Sequence, residues 1–173
     1  NRAGRRLLVP LSFFLLAVPF PATEWGITGF LAQIVAISSA FLSRLAGAPV
    51  SRSGQLITVG EAEYLVEPLC SGFNLIMGLL ALVVPLLYLR GASVKSLAAA
   101  LLYVPPLGLS TKIILVSTLL VLTPRLGQDS ALSLYHGWLG IAFFLVGLGL
   151  AALLTILAGG KGRLGRLPLS QFG

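Results

Sequence analysis

Long stretches without charge are the feature that most constrains this chain. Asn74–Leu89 contains no charged residue, and neither do the apolar runs 7–20 and 138–158; a further apolar run, 96–123, contains one charged residue, Lys112. Only 10% of the 173 residues are charged, whereas a soluble domain carries roughly 25%. Because a bilayer-spanning helix needs about 20 apolar residues, the sequence predicts an all-α integral membrane protein with about four transmembrane helices in one domain, 1–173.

The basic residues indicate how the predicted spans are oriented. Twelve Lys and Arg residues face five Asp and Glu residues. Most of them flank the apolar runs, at Arg2, Arg5 and Arg6, at Arg90 and Lys95, and at Lys161, Arg163 and Arg166. Basic loops stay on the cytoplasmic side, so both termini are predicted inside. No basic face with interleaved aromatic residues occurs, which argues against nucleic acid as a partner.

Segment 26–46 combines an apolar stripe with a face of small and polar residues. The stripe recurs at helical spacing, as Ile27, Phe30, Leu31, Ile34, Ile37, Phe41 and Leu45. If this helix crossed the bilayer, Arg90 and Lys95 would face outward, against the positive-inside rule. We therefore predict an interfacial amphipathic helix on the outer surface. A tightly packed span with a small-residue face is the alternative.

Segment 47–69 has a different composition from the apolar runs. Gly54 and Gly60 separate two β-prone stretches, Gln55–Val59 and Tyr64–Val66. This pattern predicts a short outer β-hairpin-like segment that leads into the second span. Further along, 127–130 is rich in turn-forming residues and is predicted to be a loop.

Three reactive side chains fall at the outer ends of three different predicted spans. Cys70 is the only cysteine and precedes the second span, while His136 is the only histidine and precedes the fourth. Lys112 lies about 24 Å along the third span, at about 1.5 Å per residue, and so reaches the outer boundary. Thiolate, imidazole and cation are the groups with which a cysteine protease or transpeptidase attacks, protonates and stabilises an acyl group.

Each of these residues also has a structural interpretation. Cys70 can be a small buried hydrophobe, His136 an interfacial residue, and Lys112 a snorkelling cation. One Cys and one His are too few for a zinc site, so no metal or cofactor is expected. The residues around the thiol that we expect to support it are Glu67, Ser71, Gly72 and Asn74.

Five stretches of the chain together resemble a known family. They are VPFPATEW, LAGAPVSRSGQLITVG, VEPLCSGFN, GLSTKIILV and YHGWLGIAFFL. Over about 13–158 the chain resembles the exosortase/archaeosortase membrane cysteine transpeptidases. The resemblance implies that Cys70 is the nucleophile and His136 the acid/base, and that Lys112 stands where the family has Arg.

The resemblance further implies a multi-pass protein of the bacterial cytoplasmic (inner) membrane with its active site facing outward. The implied substrate is a protein with a C-terminal sorting signal, made of a short motif, a hydrophobic helix and a basic tail. A degenerate homologue that serves as a structural subunit of a larger membrane complex is the alternative, favoured by Lys at position 112. A small transporter or channel is disfavoured, because no charged residue faces a plausible pore at mid-membrane.

Overall fold

A computed structural model describes residues 26–67, 72–89 and 94–158. The predicted first span, 7–20, therefore lies outside the described residues, as do Cys70 and Ser71. The described chain is mostly helical and contains one small antiparallel sheet. Its elements in order are α1 (Gly26–Leu45), β1 (Val50–Ser53), β2 (Leu56–Val59), β3 (Ala62–Leu65), α2 (Phe73–Leu89), α3 (Val94–Leu126), α4 (Gln128–Leu134), a π-helical turn (Tyr135–Leu139) and α5 (Gly140–Ala158).

Helix α3 is the element around which the others pack. It has 33 residues, which at a 1.5 Å rise makes it roughly 50 Å long, well beyond the ~30 Å hydrocarbon core of a bilayer. Pro105 and Pro106 lie inside it and do not end it. The flanking residue Val104 is fully buried between helices, so tertiary packing holds the helix through the two prolines.

The two halves of α3 belong to two different hydrophobic cores. The N-terminal half packs with α2 and α5 in a bundle core, whose buried residues are Leu79, Val83, Leu87, Ala100, Val104 and Ala151. The C-terminal half packs with α1 and the sheet in a sheet core, which includes Val35, Ile57, Val59, Leu115, Leu119 and Leu120. One continuous helix therefore connects the bundle to the sheet.

Three described helices are long and apolar enough to cross a membrane. They are Gly26–Leu45, Lys95–Leu126 and Gln128–Thr155, and a shorter apolar helix covers Phe73–Tyr88. The stretch Gln128–Thr155 combines α4, the π-helical turn and most of α5. The prediction of a mostly helical membrane protein with a small β segment is confirmed. The count of four spans and the surface position of α1 stay predictions.

Helix α1 packs through its small residues and turns its large ones outward. Ile27, Phe30, Ile37, Phe41 and Leu45 are exposed. The buried face comprises Thr28, Ala32, Val35, Ala36, Ser39, Ala40 and Ser43. Small side chains let two helix backbones approach closely. The hydroxyls of Ser43 and Ser117 each donate at 2.7 Å to a carbonyl of their own helix. Each also lies 3.4 Å from a carbonyl of the other helix.

The sheet has three antiparallel strands in the order β1-β2-β3, with Val50 opposite Val59 and Leu56 opposite Leu65. Alternate side chains on β2 and β3 enter the sheet core. Tyr64 also shares a 2.8 Å hydrogen bond with Thr123 near the end of α3. The sequence predicted two β-prone stretches here. It missed β1, because VSRS buries only its first residue and carries no alternating apolar pattern.

Candidate functional site

Lys112 lies where the two cores meet along α3. Val104 of the bundle core and Leu115 of the sheet core bracket it in the helix. The side chain of Lys112 is half-buried. A lysine at this level of an apolar helix needs polar or aromatic partners for its charged end. Its contacts therefore define the site.

Gly72 contacts the stem of Lys112. A Cβ atom at Gly72 would lie 3.1 Å from Cβ and 3.2 Å from Cγ of Lys112. Gly72 also has a φ of +85°, a left-handed conformation that L side chains rarely adopt. Its carbonyl accepts the first hydrogen bond of α2, from the Ile76 N–H at 3.0 Å. The turn into α2 is thus held against the side of Lys112.

Tyr135 contacts the charged end of Lys112. The Lys112 Nζ donates to the phenol oxygen of Tyr135 at 2.5 Å and lies 4.9 Å from the centroid of the ring. Tyr135 is only 8% exposed and belongs to the sheet core. The charge-assisted hydrogen bond to the phenol oxygen therefore holds the ammonium group at the hydroxyl end of the ring.

His136 follows directly and is exposed. Its ring stands edge-on to the ring of Tyr135, with centroids 5.0 Å apart and an interplanar angle of 89°. His136 lies in the π-helical turn, and the next residue, Gly137, leaves helical geometry with φ −90° and ψ −120°. Such turns recur at functional sites and change the direction of a helix. Here the turn separates α4 from α5 and presents His136 outward.

The remaining predicted site residues are Gly72, Glu67, Asn74, Cys70 and Ser71. Gly72 contacts Lys112, while Glu67 and Asn74 are exposed. Cys70 and Ser71 lie outside the described residues, so the structure does not give their distances to His136. In 26–67, 72–89 and 94–158, no cluster of three or more His, Asp and Glu side chains could hold a metal ion.

Sequence reasoning did not single out Tyr135, although it contacts two of the predicted site residues. A lone tyrosine in an apolar chain carries no motif of its own. Its position directly before the only histidine is the single sequence signal that could have drawn attention to it. The contact itself depends on how α3 packs against the π-helical turn.

The fold and the site together define a helical membrane protein whose ammonium, phenol and imidazole groups meet at the junction of two cores. Residues 1–153 match the family model described as Transmembrane exosortase (Exosortase_EpsH). The chain belongs to this family, which confirms the resemblance stated from its motifs. No curated protein and no solved structure matched the chain.

Proposed function

We propose that this exosortase is a cysteine peptidase or transpeptidase that cleaves C-terminal sorting signals. The observation that supports the proposal is the contact series from Gly72 through Lys112 and Tyr135 to His136. These residues come from three separate segments of the chain. Cys70 is two residues before Gly72 in the sequence.

The proposed reaction assigns one role to each polar group. The Cys70 thiolate attacks the scissile carbonyl carbon, the C–N bond breaks, and a thioester forms between Cys70 and the substrate. His136, as imidazolium, gives its proton to the departing amine. The neutral imidazole later accepts a proton from the amine or water that attacks the thioester, whose C–S bond breaks to return the Cys70 thiolate. The Lys112 ammonium stabilises the oxyanion formed in each step.

Lys112 performs this last role differently from an arginine. An ammonium group is a point charge with three rotatable N–H donors, whereas a guanidinium is a planar fork that binds two oxygens at once. One Lys112 N–H is directed to Tyr135. Two others are left that can donate to an oxyanion, which is enough for a single oxygen atom.

The proposed substrate is a membrane-anchored protein with a C-terminal apolar helix and a basic tail, cleaved at the outer face of the bacterial cytoplasmic membrane. The apolar surface beside His136 suits such a helix. Trp138 is 81% exposed, and Ile141 and Leu145 continue the exposed face along α5. An apolar helix in the bilayer can therefore approach His136 along α5.

A second function is favoured by one observation at the same site. The Lys112 ammonium already has a partner inside the chain, Tyr135, and lysine stands where the family resemblance implies an arginine. Both facts suit a structural subunit of a larger membrane complex that has lost catalysis. In that case the polar cluster stabilises the junction of the two cores and takes no part in chemistry.

Processing of a membrane reporter tests the proposal. The reporter ends in a short motif, an apolar helix and a basic tail taken from a protein of the same cells. Cys70→Ala is expected to abolish processing, and Lys112→Met to lower its rate by about 10²-fold or more, while Lys112→Arg retains it. Lys95→Met, at an exposed lysine, is the matched control and should leave the rate unchanged.

Two outcomes would contradict the transpeptidase proposal. One is processing in the Cys70→Ala variant at the rate of the unmodified chain. The other is a reporter that stays uncleaved while this chain is found in a larger detergent-stable assembly, to the same extent in the unmodified chain and in the Cys70→Ala variant. The second outcome supports the structural subunit.

A further inference from the structure

We propose that Tyr135 is a positioning residue that sets both the Lys112 ammonium and the His136 ring for the reaction. The inference rests on the function proposed above and adds a residue to it. Tyr135 is the described side chain that contacts both groups, by a 2.5 Å hydrogen bond to Lys112 Nζ and an edge-on ring contact to His136. A single rigid ring therefore fixes the cation and the base relative to each other.

The first step concerns the two ends of Lys112. Its Cβ and Cγ atoms pack against Gly72. Its Nζ atom donates a hydrogen bond to Tyr135. A lysine has a flexible four-carbon stem and loses its preferred position when its terminal contact is removed. An arginine keeps a preorganised planar fork. Tyr135 thus holds the Lys112 ammonium group in one position, which the flexible lysine stem cannot do by itself.

The second step concerns His136. Its side chain is exposed, so surrounding protein restrains it little. The ring of Tyr135 is buried in the sheet core and stands at 89° to the imidazole. Edge-to-face pairs restrict the relative orientation of two rings. The buried tyrosine therefore limits the directions in which the exposed imidazole can point.

Two substitutions separate these contributions from simple core packing. Tyr135→Phe keeps the ring, its volume and its contact with His136, and removes only the hydroxyl that accepts from Lys112. Tyr135→Leu removes the ring as well. A Tyr135 that only fills space in the sheet core would tolerate phenylalanine.

Kinetics of reporter processing test the role toward Lys112. Tyr135→Phe is expected to lower kcat by about tenfold or more with KM nearly unchanged, because misplacing a catalytic group by about 1 Å can cost about 10²-fold. In the Lys112→Met background, where no ammonium group remains to be positioned, the same change should cost less than about threefold. Equal losses in both backgrounds, or no loss in either, would overturn the proposal.

Nuclear magnetic resonance tests the role toward His136 without any substrate. The chain has one histidine, so ¹³C-labelled histidine in the intact protein gives one set of ring signals. Tyr135→Leu is expected to shift these signals, since the neighbouring ring current is lost, and Tyr135→Phe to shift them far less. Tyr103→Leu is the control, because Tyr103 bonds to Ala151 and Thr155 in the bundle core.

The two arms distinguish failure of this inference from failure of the proposed function. If the histidine signals in the Tyr135→Leu variant move no more than in the Tyr103→Leu control, Tyr135 does not position His136 and the inference falls. If Cys70→Ala still processes the reporter, the transpeptidase proposal falls. The histidine signals then still decide whether Tyr135 positions the imidazole.

Discussion

Replacing Gly72 by alanine tests whether the turn into α2 positions Lys112. Two costs arise at this residue. The φ of +85° is left-handed, which costs an L side chain roughly 1–2 kcal/mol. The new Cβ would also lie 3.1 Å from the Lys112 Cβ, a contact at which the neighbour must move by a few tenths of an ångström. Overpacking of this kind costs about 1–3 kcal/mol.

Gly47→Ala is the matched control for the backbone cost. Gly47 has a φ of +83°, close to that of Gly72, and a Cβ added there would have no other atom within 4 Å. We therefore expect Gly47→Ala to lower the free energy of unfolding by about 1–2 kcal/mol. Gly72→Ala should lower it by about 2–5 kcal/mol, the sum of the two costs. The difference between the variants isolates the contact with Lys112.

Denaturant unfolding in detergent micelles, followed by far-ultraviolet circular dichroism, measures both free energies. Processing of the membrane reporter measures the displacement of Lys112. We expect Gly72→Ala to lose most processing and Gly47→Ala to retain it. Equal unfolding free energies for the two variants would refute the argument that the glycine is needed for close approach. Retained processing in Gly72→Ala would refute the argument that this approach positions Lys112.

Two further substitutions test how the two cores are assembled. Gly108→Ala should destabilise the bundle strongly, by about 2 kcal/mol or more, because its Cβ would lie 2.8 Å from Ile76 Cγ1 and 3.3 Å from the Ile76 Cα. Gly78→Ala, where the nearest atom is 3.6 Å away, should be tolerated, and the same unfolding assay compares them. Tyr64→Phe should cost about 1 kcal/mol, because it removes the 2.8 Å hydrogen bond between β3 and α3, while Thr123 keeps its bond to the Leu119 carbonyl. An unchanged unfolding midpoint would show that this bond does not stabilise the junction of β3 with α3.

The apolar runs allowed much of the helical bundle to be predicted from the sequence. Run 72–89 forms α2 and run 138–158 contains α5, because a charge-free stretch between turn-forming or basic residues has few alternatives to a buried or lipid-facing helix. Segment 127–130 was predicted to be a loop, and this was wrong beyond Gly127. Helix α4 begins at Gln128, and its one buried residue, Ala131, docks on the sheet core.

The packing face of α1 and the role of Tyr135 could not be predicted in the same way. Hydrophobic periodicity identifies a large apolar stripe but not whether neighbouring protein covers it. In α1 the small-residue face forms the contact, because it allows the closer approach to α3. Tyr135 gains its importance from the position of Lys112, which lies 23 residues earlier in the chain. A single sequence contains no signal for that distance in space.

The continuity of α3 has a consequence for how the length of this chain can vary. An α-helix turns by about 100° and rises by about 1.5 Å with each residue. One residue inserted or deleted between Val104 and Leu115 would therefore rotate the whole sheet core relative to the bundle core by roughly a quarter of a turn. Loops that connect helices can absorb such changes, but the middle of α3 cannot. The number of residues between Val104 and Leu115 therefore cannot change without disrupting the packing of one of the two cores.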